Sequence, residues 1–424
     1  MKKNWLAELK GMNPSDIRLG LARIARLLKR LHDPQKQYPA VIVAGTNGKG
    51  SVTAMIASML SAAGYRTGWY TSPHLIDVRE RIRIGGRMIS KNEMQECLQA
   101  VRSRQEEPLT YFEVLTAVAL LYFSRASVDM AVLEVGLGGR LDATNVVNPL
   151  VSVITNIDLD HREFLGDSLE KISAEKGGVV KKGTPCVTGA RQHSVLAVLE
   201  RICSTRGARL LKLGRDFKIR ISSNGLFSYH GGSGRCLSRL RCPLRGRHQY
   251  ANAALALEVM EQLSSFGYPS PSSLLREGLE KTRWEGRLEV LQQHPTVLLD
   301  GAHNPAGMSA LCRVLQRDFP YRRLLLVLGI MADKDLSGII GKIASIADVV
   351  ILTRPGSKRA AEPMQLLRYV REGRRNTVVA LERNPVRAVK LALSSAQKND
   401  LICIAGSLYL VGDIKRALRT GRLP

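Results

Sequence analysis

Aromatic residues make up only 5% of the 424-residue chain, and no uncharged apolar run is long enough for a bilayer-spanning helix. Few aromatics argue against a surface built to stack bases, and the missing apolar run argues against a membrane partner. Cysteines are few and show no pattern. The seven (Cys97, Cys186, Cys203, Cys236, Cys242, Cys312, Cys403) are odd in number, contain no Cys-x-x-Cys, and give Cys236 and Cys242 no second pair. Neither zinc-ligand spacing nor a disulfide framework fits, whereas a reducing compartment does. Met1–Lys10 lacks the basic, apolar and small-residue layout of a secretion signal, so a cytoplasmic protein is expected. Acidic residues are also short, 37 against 63 Lys and Arg, for a formal charge of +26. Part of the excess is local: Arg201–Tyr250 holds twelve basic residues and one acid, Asp216. These are spread over presumed strands and loops without the tight cluster of a nucleic-acid tail. We read them as a solvated basic face that attracts anionic substrates, with no nucleic-acid partner. The rival reading, a nucleic-acid-binding ATPase, rests on charge alone.

What is present is a globular composition, 45% hydrophobic and 24% charged, in a chain longer than one core normally serves. Strand and helix signals alternate. Ala40–Ala44 is a short apolar run ending at Gly45, and Val52, Met55, Ile56, Met59 and Leu60 then fall at helical spacing. Met130–Val135, Val151–Thr155 and Cys186–Thr188 are further strand candidates, separated by helical patterns such as Phe112–Phe123 and Leu169–Val180. Lys212–Leu244 breaks into short segments around glycine-rich turns, expected as hairpin strands added to the sheet, before a helix over Tyr250–Leu263. Alternation restarts after Gly286 with Thr296–Asp300, Leu324–Leu328, Val349–Thr353, Thr377–Leu381 and Leu401–Ala405. The expectation is an α/β protein with two domains: residues 1–286 carrying a mostly parallel sheet, and 287–424 a smaller Rossmann-like α/β domain.

Between the first strand and its helix stands Gly45-Thr46-Asn47-Gly48-Lys49-Gly50-Ser51. That context suits a phosphate loop: backbone N–H groups at a helix start meet phosphate, glycines allow close approach, and Lys49 adds positive charge. The loop departs from the general pattern at two points. Val43 occupies the first glycine position, and Gly50 separates Lys49 from the Ser51 hydroxyl. Glu134 ends an apolar strand beside Gly136 and Gly138-Gly139, a position more often functional than structural. Read by themselves, other residues have plain alternatives. Ser72 starts a turn, Phe112 sits in a core, and His161 is a loop or core histidine. Lys176 is a solvated surface lysine, and Asn252 begins a helix.

The loop, with Thr71-Ser72-Pro73-His74-Leu75, Glu134 to Asn145, Leu159-Asp160-His161, Glu175-Lys176, Asp300 to Pro305 and Gly406 to Tyr409 in that order, resembles the folate branch of the Mur ligase superfamily. That resemblance implies a Mur-ligase-like fold and a bifunctional dihydrofolate synthase and folylpolyglutamate synthase. Such an enzyme joins glutamate to dihydropteroate or folate through an acyl phosphate. It implies ATP and Mg2+ as cofactors, with a monovalent cation such as K+ a further expectation, and a monomer. By resemblance, Ser72, Glu134 and His161 hold the metal and Lys176 is carbamylated. Asn252, Arg287 and Asp300 join the loop in binding ATP, and His303 and Ser407 place glutamate. Ile17-Arg18-Leu19, Thr110-Tyr111-Phe112-Glu113 and Leu141-Asp142-Ala143 match pterin-binding segments, except that Arg18 stands where some bifunctional enzymes have an acid. Only 44 residues precede the loop, too few for the nucleotide-sugar domain of the peptidoglycan ligases.

Overall fold

Ala40–Ala44, all buried, form strand β1. A strand buried on both faces takes hydrogen-bonded neighbours at both edges and helices above and below. In the computed structural model, which describes residues 5–14, 16–373 and 377–423, β1 lies between β5 (Met130–Glu134) and β6 (Val151–Ile154), parallel to both. Residues 1–4 of the N-terminal stretch read above lie outside the described residues. Beyond β5 come β2 (Thr67–Tyr70) and the antiparallel strands β3 (Ile82–Ile84) and β4 (Arg87–Met88). Beyond β6 come β7 (Cys186–Thr188) and β8 (Leu210–Lys212), so the order is β4-β3-β2-β5-β1-β6-β7-β8. Six of these strands run parallel, and their carboxyl ends share one edge. From the end of β1 the chain crosses to β2 on one side, and from the end of the neighbouring β5 it crosses to β6 on the other, the arrangement that opens a ligand crevice.

The helix Lys49–Ala62 after β1 is buried on nearly every side. The helix Ser272–Lys281 crosses it at Gly278, where a Cβ would lie 2.5 Å from Met59 Cα and where Ser58 Oγ donates to the Gly278 carbonyl at 2.6 Å.

The hairpin strands expected to extend the main sheet do not join it. Of the region 212–244, only the end of β8 joins the main sheet. β9 (Lys218–Ile221), β10 (Leu226–His230) and β11 (Cys236–Arg241) form a separate antiparallel sheet. Their alternation explains it: Phe227, Tyr229, Leu237 and Leu240 are buried, while His230, Cys236, Arg239 and Arg241 are exposed. Strands with one apolar face pack one-sidedly and cannot extend a sheet covered on both faces. The helix Arg247–Ser264 supplies their polar anchor. Its buried Glu258 and Glu261 meet the Tyr229 hydroxyl at 2.7 and 2.9 Å and accept the backbone N–H groups of Gly232 and Ser233 at 3.1 and 2.5 Å.

The chain forms two compact units. One takes nearly everything before residue 284; the other takes 74–78, 244–248 and 284 onward. The second unit holds β12 (Glu289–Gln292), β13 (Thr296–Leu299), β14 (Leu324–Leu328), β15 (Val349–Leu352), β16 (Val378–Leu381) and β17 (Leu401–Ala405), in the order β12-β13-β17-β14-β15-β16. All are parallel except the edge strand β12. Apolar clusters cover both faces, one around Leu298, Leu326 and Ile340, the other around Leu299, Ile404 and Val411.

Candidate active site

The loop after β1 depends on its glycines. Gly45 has φ +143°, and a Cβ there would stand 1.8 Å from Thr155 Oγ1. Gly48 has φ +84°, and its Cβ would meet Asn252 Oδ1 at 2.7 Å. The loop is therefore pressed between the end of β6 and the start of the helix Arg247–Ser264, which brings Asn252 against Gly48. The residues after β6 also hold it by hydrogen bonds. Thr46 N donates to the Asn156 carbonyl at 2.9 Å, Asn47 N to Asn156 Oδ1 at 2.8 Å, and Asp158 N to Thr46 Oγ1 at 3.0 Å. Thr155, Asn156 and Asp158 were missed in the sequence. The available signal was a polar run directly after an apolar strand at the carboxyl edge of a parallel sheet.

Two lysines meet at this loop. Lys49 Nζ folds back to the carbonyls of Gly45 and Thr46 at 3.0 and 3.1 Å, and Lys176 Nζ reaches the same Gly45 carbonyl at 2.8 Å. Lys176 is 5% exposed, so it is not a solvated surface lysine. Burial, followed by the neighbouring Lys49 charge, lowers its pKa to about 7, against a smaller opposing pull from Asp160 and Asp142. The Gly138-Gly139 turn seats the end of its helix, Leu169–Gly177. A Cβ on Gly139 would lie 2.8 Å from the Lys176 carbonyl, and Arg140 N donates to the Glu175 carbonyl at 2.7 Å.

Glu134 closes β5 directly beside Val43 and is 4% exposed. Its Oε2 accepts Ser72 N at 3.1 Å, so Ser72 and Glu134 are in contact. His161 follows β6 at the same sheet edge, half-buried, with φ +50° and its N–H on Asp160 Oδ1 at 2.9 Å. Among the described residues no three of His, Cys, Asp or Glu gather closely enough to enclose an ion. Glu134, His161 and Ser72 offer one carboxylate, one imidazole and one hydroxyl. Such an open set suits magnesium, which keeps water and phosphate oxygens as its other ligands, and does not suit a closed structural zinc site.

The three segments matched to pterin binding are brought together in part. Gly20 N donates to the Leu141 carbonyl at 3.3 Å, laying Ile17-Arg18-Leu19 beside Leu141-Asp142-Ala143. Ile17 and Leu19 are 40% and 37% exposed, two large apolar side chains facing solvent two positions apart. Phe112 is half-buried, with its ring 5.9 Å from that of Tyr70 and its edge over Gly136. Tyr111 is buried, with the Arg81 guanidinium 5.5 Å from its ring centre. Thr110 and Glu113 form a capping box: Thr110 Oγ1 accepts Glu113 N at 3.2 Å and Glu113 Oε2 accepts Thr110 N at 2.8 Å. That duty was legible in the sequence as Thr-x-x-Glu before an apolar run. Asp142 is likewise occupied, accepting Leu137 N at 2.8 Å and Thr144 N at 3.0 Å, with burial raising its pKa. Arg18 is solvent-facing and paired with Asp16 at 3.2 Å.

In the second unit the assigned residues follow β13 and β17, which are neighbours. Asp300 is buried and accepts Leu288 N and Ala302 N at 2.9 and 2.8 Å. Burial raises its pKa against the pull of Arg287, whose guanidinium lies where a Cβ on Gly301 would be 2.5 Å away. His303 Nδ1 is 2.8 Å from the Gly301 carbonyl oxygen, and Ser407 Oγ caps the helix Leu408–Arg419 by accepting Leu410 N at 3.0 Å. Gly406 N donates to the Ala302 carbonyl at 3.1 Å, so the His303 and Ser407 loops run side by side.

This fold and site define a class. Residues 43–260 match the Mur ligase middle domain, and residues 286–408 match the Mur ligase, glutamate ligase domain. The dihydrofolate synthase/folylpolyglutamate synthase of Bacillus subtilis is 36% identical over 417 residues, covering 95% of this chain and 96% of that protein. The folylpolyglutamate synthase of Lacticaseibacillus casei is 34% identical, with 94% of each covered. Among solved structures, Escherichia coli FolC in complex with DHPP and ADP superposes with a TM-score of 0.91 at 31% identity, covering 99% of this chain and 97% of that one. The Mycobacterium tuberculosis folylpolyglutamate synthase with ADP and AMPPCP gives 0.87 at 35% identity, with 96% of each covered. The chain belongs to the Mur ligase family, in its dihydrofolate synthase/folylpolyglutamate synthase branch. No helix among the described residues is long and apolar enough to cross a membrane.

Proposed function

We propose that this chain is an ATP-dependent ligase that adds glutamate to dihydropteroate and to the γ-carboxylate of reduced folates. The observation that carries the reading is the meeting of Lys49 and Lys176 on one loop carbonyl, beside a buried strand-end carboxylate, in a chain related over its whole length to such ligases. An amide does not form from a free carboxylate without activation. The acceptor carboxylate oxygen attacks the ATP γ-phosphorus and ADP departs. The glutamate amine then attacks the acyl phosphate, loses a proton, and expels inorganic phosphate. Because such phosphoryl transfer demands mainly positioning and charge neutralisation, the roles divide simply. The N–H groups of the loop Gly45–Ser51 cradle phosphate, and Lys49 turns from the loop carbonyls to the transferring group. Asn252, against Gly48, offers an amide for adenine. Magnesium held by Glu134, His161 and Ser72 would neutralise phosphate charge next to the acceptor. Carbamylated Lys176 supplies an anion to the same region. Arg287 and Asp300 are the second unit's candidates for nucleotide contacts, and His303 and Ser407 its candidates for glutamate.

The test offers dihydropteroate or reduced folate with ATP and labelled glutamate, and reads products by mass spectrometry. Both acceptors should gain glutamate; one alone would mark a monofunctional enzyme. With oxygen-18 in the acceptor carboxylate, one labelled oxygen should leave in inorganic phosphate per amide formed, with ADP as the nucleotide product. Labelled AMP as the main product would overturn the acyl-phosphate route.

A further inference from the structure

The helix Ala22–Arg30 carries Arg23, Arg26 and Arg30 at spacings that place them along one face. They pair with Glu113, Glu107 and Glu106. The outer two pairs are solvent-exposed and add little. Arg23 differs from them. Its Nε meets the Glu113 carboxylate, 3% exposed, at 3.1 Å, while a terminal nitrogen donates to the Arg18 carbonyl at 2.5 Å. One rigid guanidinium fork thus ties the capping box of the Phe112 helix to Ile17-Arg18-Leu19, the segment whose next residue, Gly20, bonds to Leu141. That segment has no regular secondary structure, and it ends at Gly20, whose φ of +135° is a backbone conformation that other residues rarely adopt.

We propose that Arg23 is a positioning residue for the acceptor. It holds Ile17 and Leu19 in place so that, with Phe112, they present a preset apolar surface to a flat ring. The proposal rests on the folate reading above. Arg23 itself does not touch the acceptor. Without the fork, the segment must be ordered each time acceptor binds, and that cost falls on acceptor affinity and not on ATP or glutamate.

The experiment measures KM for acceptor, ATP and glutamate, with thermal stability, in wild type, Arg23→Ala, Arg23→Lys and the exposed-pair control Arg26→Ala. Arg23→Ala should raise acceptor KM about tenfold with the other two KM values nearly unchanged. Arg23→Lys keeps the charge beside Glu113 but cannot bridge both partners, so it should fall between, and Arg26→Ala should match wild type. A folded Arg23→Ala with wild-type acceptor KM overturns the proposal. So does a parallel rise in all three KM values with lowered stability, the mark of a merely structural residue. If the alanine variant does not fold, the lysine variant decides by the same criterion. Wild-type protein that ligates no folate-type acceptor refutes the functional reading and this proposal with it, whereas active wild type with an unresponsive Arg23 refutes only the proposal.

Discussion

At pH 7 a lysine with the ordinary pKa of 10.5 is neutral in about one molecule in 3000. Lys176, lowered to about 7, is neutral in about half. The difference corresponds to a cost on the order of 5 kcal/mol for holding this side chain charged where it is buried. Only the neutral amine adds to carbon dioxide, and the carbamate formed is an anion. Repulsion between two neighbouring cations thereby becomes attraction to Lys49, with which Lys176 shares the Gly45 carbonyl. Protein equilibrated with carbon-13 bicarbonate near pH 8 should therefore show one carbamate carbon resonance, absent from Lys176→Met. Its ligation rate should fall in carbon dioxide-depleted buffer and recover when bicarbonate is restored. The signal should weaken as pH drops below about 7, because the neutral fraction then falls about tenfold per pH unit. A rate indifferent to carbon dioxide, with no labelled carbon at pH 8, would refute the argument and leave Lys176 acting as an amine.

Gly48→Ala puts a Cβ 2.7 Å from Asn252 Oδ1 at a left-handed backbone position. It should cost about 1–2 kcal/mol in denaturant unfolding and raise ATP KM about tenfold; an unchanged ATP KM would break the link between loop and nucleotide. Glu134→Gln keeps an oxygen for the Ser72 N–H but removes the charge. ATP binding by calorimetry should persist while kcat falls about a hundredfold or more with altered magnesium dependence, and an unaltered dependence would remove Glu134 from the metal set.

Much of this organisation was legible because buried parallel strands read as short apolar runs. Cys186–Thr188, Leu324–Leu328 and Leu401–Ala405 fall where those runs place them. Thr67–Tyr70 escaped because Thr-Gly-Trp-Tyr is neither an aliphatic run nor an alternation. Ile82–Ile84 and Arg87–Met88 are too short to show any period. The separate small sheet was readable as hairpins, but which sheet a strand joins is decided by long-range packing. The burial of Lys176 has the same origin. Nothing local to its helix distinguishes it from a surface lysine; the Gly138-Gly139 turn that seats its helix end and the Gly45 carbonyl that its amine reaches are both remote in sequence. Arg23 left no signal either, since its importance lies in two partners, one ninety positions away.

The anchor of the small sheet has a consequence in protons. Tyr229 brings one hydroxyl hydrogen to two carboxylate oxygens, at 2.7 Å on Glu258 and 2.9 Å on Glu261. One hydrogen can point at only one of them, so the other contact is a hydrogen bond only if a carboxyl group supplies its own. Burial, the larger influence, and the nearby Glu261 charge raise the pKa of Glu258, so it holds a proton to higher pH than a free glutamate does. The native chain therefore binds more protons here than the unfolded chain does, whose glutamates titrate near 4.5. Unfolding above that pH releases a proton, and this contribution to stability, complete below 4.5, declines as pH climbs through the raised native value. Two glutamates and a tyrosine thus hold the hairpin to its helix through an anchor whose grip depends on pH, firmest where Glu258 keeps its proton.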